Sequence, residues 1–138
     1  MKKVLIGFVA VFVTLEVLDY IIHGVILMNT YTGMQNVWRT DMMQKMWILH
    51  FVKLVTAFFF TYIFSKGYEG KGIMEGIRYG FYLGMIVSSG FAFDSYVSYP
   101  IRYQLALQWF FYSLAEYIIA GIVVALVFGQ KKEAAPPA

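Results

Sequence analysis

The chain has 138 residues, of which 60% are hydrophobic, 20% aromatic and only 14% charged. Soluble domains average roughly half apolar and about a quarter charged residues, so this composition excludes an ordinary soluble domain and a disordered chain. The formal net charge is +3, and in a membrane protein a basic excess usually comes from cytoplasmic loops rather than from a nucleic-acid site. Because the sequence contains no cysteine, it has no disulfides, thiol catalysis, iron–sulfur clusters or cysteine-ligated zinc.

Four stretches approach the length of about 20 mostly apolar residues that a membrane-crossing helix needs. In chain order they are residues 4–28, 46–64, 77–93 and 105–128. They are too long and too uniformly apolar for barrel strands, which alternate over about 10 residues. The first stretch exceeds a cleaved signal peptide in length and contains two carboxylates. The predicted fold class is therefore all-α: one four-helix transmembrane domain over 1–129, followed by a disordered cytoplasmic tail at 130–138.

Lysine and arginine residues are distributed unequally among the segments that flank these spans. Seven lie at the N-terminus, in the middle loop and at the C-terminus: Lys2, Lys3, Lys66, Lys71, Arg78, Lys131 and Lys132. The first and third loops hold three: Arg39, Lys45 and Arg102. The positive-inside rule therefore predicts that both termini and the middle loop are cytoplasmic. Aromatic residues such as Tyr31, Trp38 and Trp109 are then expected in the aromatic belt at the opposite interface.

Small residues recur every four positions along the third span, at Gly72, Gly76, Gly80, Gly84 and Ser88. Residues four apart lie on nearly the same face of a helix. A stripe of small side chains lets a second helix approach closely. The pattern thus predicts a helix-packing face, and a groove for a flat cofactor or a lipid chain is the alternative.

Ionisable side chains inside the predicted spans are the most informative feature of the sequence. They are Glu16, Asp19 and His23 in the first span, His50 and Lys53 in the second, and Glu116 in the fourth. Each costs on the order of 2.5–3.5 kcal/mol near the bilayer centre and therefore usually faces the protein interior with a partner. Their helical spacing and a rise of about 1.5 Å per residue predict a shared, buried polar cluster. Three carboxylates against one ammonium require a bound proton, a charged histidine or a metal ion.

Four interpretations of this cluster remain open at the level of sequence. It forms a structural network between helices, or His23 and His50 ligate a haem b from two sides. Alternatively Asp19, His23 and His50 bind a divalent metal, or the acids and histidines move protons or a solute. Motifs of nucleophile elbows, zinc proteases, phosphate loops and dinucleotide sites are absent from the sequence, so no enzymatic activity is predicted.

Three stretches carry a family resemblance: LDYIIHGVIL with the downstream pair Trp38 and Arg39, KGYEGKGIMEGIRYG, and LQWFFYSLAEYIIAGIVVALVFG. They resemble short uncharacterised four-span integral membrane proteins of bacteria, and the resemblance implies no substrate or cofactor. We expect a non-enzymatic subunit of the bacterial inner membrane that is an accessory component of a larger complex, with an electron-transfer complex as one setting. Its expected partners are the lipid bilayer and other membrane subunits or further copies of itself, and not nucleic acid. An autonomous protein that handles protons or solutes, or binds a metal or haem, is the alternative.

Overall fold

The structure is a computed structural model that describes residues 1–129; the tail predicted at 130–138 lies outside the described residues. It is all-α. Helix α1 (Lys2–Ile21) continues directly into a π-helical turn (Ile22–Ile26), and α2 (Met28–Thr32) and a 3₁₀ turn (Gln35–Val37) follow. Three long helices complete the described chain: α3 (Met42–Gly67), α4 (Ile73–Ser98) and α5 (Tyr103–Phe128).

Three helices in the described part of the chain are long and apolar enough to cross a membrane. They are Lys2–Ile26, which joins α1 to the π turn, and the helices α3 and α5. These helices expose many large apolar side chains, among them Leu, Ile, Val and Phe, which is unfavourable in water and favourable in lipid. The chain is therefore an integral membrane protein.

Helix α4 packs lengthwise against α5 through its small residues. Gly76, Gly80, Gly84 and Ser88 are all buried, and Ala92 extends the same face. A Cβ atom built on Gly76 would lie 2.1 Å from the carbonyl oxygen of Gly121 in α5. The two backbones thus touch, which only glycine permits at this position.

The bounds of α4 differ from the sequence expectation in two respects. The helix begins at Ile73 rather than Ile77 and ends at Ser98 rather than Phe93. It is longer because packing against α5 extends well beyond the apolar window. Gly72, which was expected to belong to the packing stripe, instead precedes the helix with a φ of 77°, a conformation that glycine adopts without strain.

Helices α1, α3 and α5 form the second packed group. Its core contains Val11 and Leu15 from α1, Phe60 and Phe64 from α3, and Val124 from α5. Gly7 marks a common level in the three helices, because a Cβ there would lie 2.8 Å from Thr61 and 3.5 Å from Val124. Helix α1 runs antiparallel to α3, because Gly7 lies at Thr61 and Glu16 at His50. It also runs antiparallel to α5, because Lys3 contacts Phe128 and Gly7 lies at Val124.

The ends of the helices are tied together by polar contacts. At one end Lys3 donates to the carbonyl of Phe128 at 2.6 Å, and Tyr68 donates to the carbonyl of Gly129. The N-terminus, the α3–α4 loop and the end of α5 therefore lie together. At the other end Leu27, Ile101, Leu105 and Trp109 form a separate apolar core beneath the segment that includes α2.

Candidate functional site

Lys53 of α3 joins two carboxylates of α1. Its ammonium donates to Asp19 at 2.5 Å and lies 3.4 Å from Glu16. The two acids are three residues apart, so a helix presents them on one face, and α1 turns that face toward α3. Only 18% of the lysine side chain is exposed. We call Glu16, Asp19 and Lys53 the charged cluster.

His50 extends the charged cluster along α3. Its Nδ1 lies 2.9 Å from one oxygen of Glu16 and 3.0 Å from the other. Because an ionised carboxylate can only accept, the proton of this hydrogen bond belongs to His50 Nδ1. The side chain of His50 is nevertheless 54% exposed, so this residue forms the rim of the cluster rather than its interior.

His23 extends the charged cluster in the opposite direction, along α1. Its Nε2 lies 3.5 Å from Asp19, and its Nδ1 is hydrogen-bonded to the hydroxyl of Tyr31. Both ring nitrogens are therefore engaged. His23 lies in the π turn, where Leu27 N–H donates to the carbonyl of Ile22 at 2.8 Å. A π turn adds one residue to the helix and is frequent at functional sites.

Tyr31 connects the polar chain to α5. The indole N–H of Trp109 donates to the Tyr31 hydroxyl at 2.7 Å, and the N–H of Trp38 donates to the Tyr31 carbonyl at 3.3 Å. Because indole is only a donor, the Tyr31 oxygen accepts from it and is free to donate its own proton to His23. His23 then carries its proton on Nε2, toward Asp19. Burial raises the pKa of Tyr31 to about 12, so this residue is a neutral phenol at neutral pH.

Tyr31, Trp38 and Trp109 were expected from sequence only as residues of an aromatic belt. The structure adds a second role for Tyr31, which is a hydrogen-bond partner of His23. A polar turn after the first span, with Asn29, Thr30 and Gly33, is the signal that allows the chain to fold back over His23. The distance of eight residues between the two partners matches no helical spacing, so the pair was not visible in the pattern.

Glu116 of α5 lies apart from these hydrogen bonds. It is 9% exposed, and its Oε1 has no hydrogen-bond partner among the described residues. It is within electrostatic range of Asp19 and Lys53. The structure thus brings five of the six predicted residues into one connected series, and it places the sixth beside them without a direct bond.

Asp19, His23 and His50, which were considered as metal or haem ligands, do not converge on one point as ligands of a metal would. Within residues 1–129, no group of three or more His, Asp or Glu side chains could hold a metal ion. Asp19 and His23 are adjacent, but the carboxylate binds Lys53 and the imidazole binds Tyr31. His50 binds Glu16 instead of facing His23 across an open space. The geometry is that of a salt-bridged hydrogen-bond chain.

Comparison with family models, with curated proteins and with solved structures gave no match. The site is therefore interpreted from its own geometry. Chemically, the site is a series of alternating proton donors and acceptors. It begins at the exposed imidazole of His50, passes through the Lys53 ammonium between its two carboxylates, and ends at the phenol of Tyr31.

Proposed function

We propose that the chain is a small, non-enzymatic integral membrane subunit that acts as an accessory component of a larger assembly. The assembly consists of other membrane subunits or of further copies of this chain. In this proposal α4 is the fourth transmembrane helix, the location is the bacterial inner membrane, and both termini are cytoplasmic.

The observation that carries the proposal is a polar rim at hydrocarbon depth. Helix α3 is about 39 Å long, and His50 lies about 12 Å from its start. In a hydrocarbon layer of about 30 Å, a centred α3 places His50 roughly 7 Å inside the layer. Yet His50 is 54% exposed, and Asp19 and His23 are each about one third exposed.

Contact with lipid is energetically unfavourable for such a polar rim. Polar and ionisable groups within the bilayer normally face protein or a water-filled cavity, because each costs on the order of 2.5–3.5 kcal/mol when it does not. The charged cluster also holds two carboxylates for one ammonium. A partner that contacts part of the rim with hydrogen-bond donors or a positive charge reduces both costs.

The proposed orientation is supported by the positions of the basic segments. Lys3 contacts the end of α5, and Tyr68 of the α3–α4 loop contacts the same end. The basic N-terminus and the basic α3–α4 loop are therefore gathered at the end of the molecule where α5 ends. The positive-inside rule assigns that end to the cytoplasm.

Photo-crosslinking in native membranes tests the proposal. Leu54 lies about 40° around α3 from His50, whereas Phe59 lies about 180° away; their side chains are 42% and 53% exposed. A photo-reactive amino acid at position 54 should crosslink to a protein and give a discrete band well above 15.9 kDa. The same amino acid at position 59 is the matched control and should give lipid adducts.

The result against the proposal is equally specific. Lipid adducts alone at both positions, together with a native mass of a single chain in extracted membranes, would show that the rim faces lipid and that the chain acts alone.

A further inference from the structure

Helices α1, α3 and α5 contain three carboxyl groups, Glu16, Asp19 and Glu116. Among the described residues, Glu116 is the one of these that forms no ion pair. Glu116 is only 9% exposed, and its Oε1 has no hydrogen-bond partner among the described residues. The ammonium of Lys53 is already shared by Glu16 and Asp19. A buried carboxylate without compensation is strongly disfavoured, and such groups take up a proton instead.

The register of the helices places Glu116 beside the charged cluster. Gly7, Thr61 and Val124 share one level, and moving eight residues along each helix covers about 12 Å. The antiparallel directions then bring Leu15 on α1, Lys53 on α3 and Glu116 on α5 to a second common level. The electrostatic interaction of Glu116 with Asp19 and Lys53 agrees with this placement.

Among the described residues, the charged groups that interact with Glu116 are Asp19 of α1 and Lys53 of α3. Helix α4 packs against α5 with glycines at this level, since Cβ atoms on Gly80 and Gly84 would meet Tyr117 and Leu114. On α5 itself the titratable neighbours are Tyr117, which interacts electrostatically with Glu116, and Tyr112, four residues earlier. Asp19 repels a negative charge on Glu116, which favours the protonated form of Glu116.

We propose that Glu116 is a proton-binding site within the membrane, and that its proton is supplied from His50 through the charged cluster. His50 is the entrance because it is the most exposed member and its Nδ1 proton is aimed at Glu16. This proposal does not depend on a partner subunit, since all its residues belong to one chain.

The transfer balances as a relay of one proton. A proton that binds Nε2 of His50 releases the Nδ1 proton to the Glu16 carboxylate, as an imidazole can exchange one nitrogen's proton for the other's. Lys53 first gives one of its protons toward Glu116, across a bridging water or after a turn of the lysine side chain, and the amine that results then takes the proton from Glu16. One N–H bond forms at His50 Nε2, one breaks at Nδ1, and one O–H bond forms on Glu116.

Infrared spectroscopy of the full chain in lipid vesicles tests the site. At pH 7 the protein should show the carbonyl band of a protonated carboxylic acid, which shifts in D₂O. Glu116→Gln should remove this band, whereas the control Glu75→Gln should keep it, because Glu75 accepts from the backbone N–H groups of Glu69 and Lys71 in the loop. If Glu116→Gln does not fold, Glu116→Asp should fold and retain a shifted band. The site is refuted if the band survives in folded Glu116→Gln, or if it is missing from the unmodified protein or from folded Glu116→Asp.

The rate at which the band shifts in D₂O tests the path. His50→Phe should slow the exchange by about 10-fold or more, because it removes the group that relays the proton. His23→Phe is the matched control and should exchange at the unmodified rate, since Lys53 still links Glu16 to Glu116. Equal exchange rates in His50→Phe and the unmodified protein would refute the path while leaving the site intact.

Discussion

The contact between α4 and α5 provides a quantitative prediction at Gly80. An alanine Cβ there would lie 2.2 Å from the carbonyl oxygen of Tyr117 and 2.8 Å from the Cα of Ile118. Ordinary contact begins at 3.4 Å, so the two backbones would have to separate by about 1.2 Å along this direction. A gap of about 0.5–1 Å already forfeits a quarter to a half of the dispersion energy of the atoms involved.

Gly80→Ala should therefore lower the free energy of unfolding by about 3 kcal/mol, the upper end of the usual cost of overpacking. Gly90→Ala is the matched control on the same helix, because the nearest atom to its added Cβ is 3.9 Å away. It should stabilise the protein by about 0.5–1 kcal/mol, since alanine loses less backbone entropy than glycine in a helix.

Reversible unfolding in mixed detergent micelles, followed by circular dichroism, measures both values. The expected separation between the two variants is about 3.5–4 kcal/mol, from the overpacking and helix-entropy terms together. Equal stabilities of Gly80→Ala and Gly90→Ala would refute the backbone contact between α4 and α5.

Three further predictions concern charged and titrating groups. Lys53→Met should lower the free energy of unfolding by about 3 kcal/mol, the lower end of the range for buried pairs, because it leaves two partly buried acids without their cation. Adding Asp19→Asn should recover part of this loss, and full additivity in the same assay would argue against the pairing of Lys53 with Asp19. Burial raises the pKa of Tyr31 from 10.0 to about 12, so the stabilisation by its neutral phenol is complete below pH 10 and is lost as the pH rises toward 12. The difference in phenolate absorbance between the unmodified protein and Tyr31→Phe should therefore appear near pH 12. Ionisation of Tyr31 near pH 10 would contradict its burial. The hydrogen bond from Arg39 lowers the pKa of Asp41, so stabilisation by Asp41 is present above its ordinary pKa and is lost as the pH falls. Arg39→Gln should raise the pKa of Asp41 measured by carbon NMR, and an unchanged pKa would exclude this bond.

Hydropathy alone predicted the all-α class and the membrane location. Long apolar runs leave no other solution, because lipid offers no partners for backbone N–H and C=O groups. The bounds of α4 were less accessible. Its ends contain Gly76 and Asp94, which lower the apparent hydropathy, while contact with α5 maintains the helix there.

The charged cluster, including the pairing of Lys53 with the acids of α1, could be predicted from the sequence, whereas its continuation from His23 to Tyr31 could not. Spacing puts Glu16, Asp19 and His23 on one face, and charge balance suggests Lys53 as their partner. Spacing does not reveal the π turn at Ile22–Ile26, because this turn depends on tertiary contacts. The link from His23 to Tyr31 was missed for that reason. Gly121 was missed as well, because its close approach to Gly76 becomes apparent only when α4 and α5 are placed together.

The central claim is that acids of α1 and the lysine of α3 meet within the membrane. Solid-state NMR of the protein in lipid bilayers, with ¹⁵N in lysine side chains and ¹³C in aspartate carboxyl groups, measures this contact directly. We expect a strong dipolar coupling between Lys53 Nζ and the Asp19 carboxyl carbon, as a nitrogen–oxygen distance of 2.5 Å requires, and its disappearance in Lys53→Met. A spectrum in which Lys53 couples to no carboxyl carbon would contradict the account.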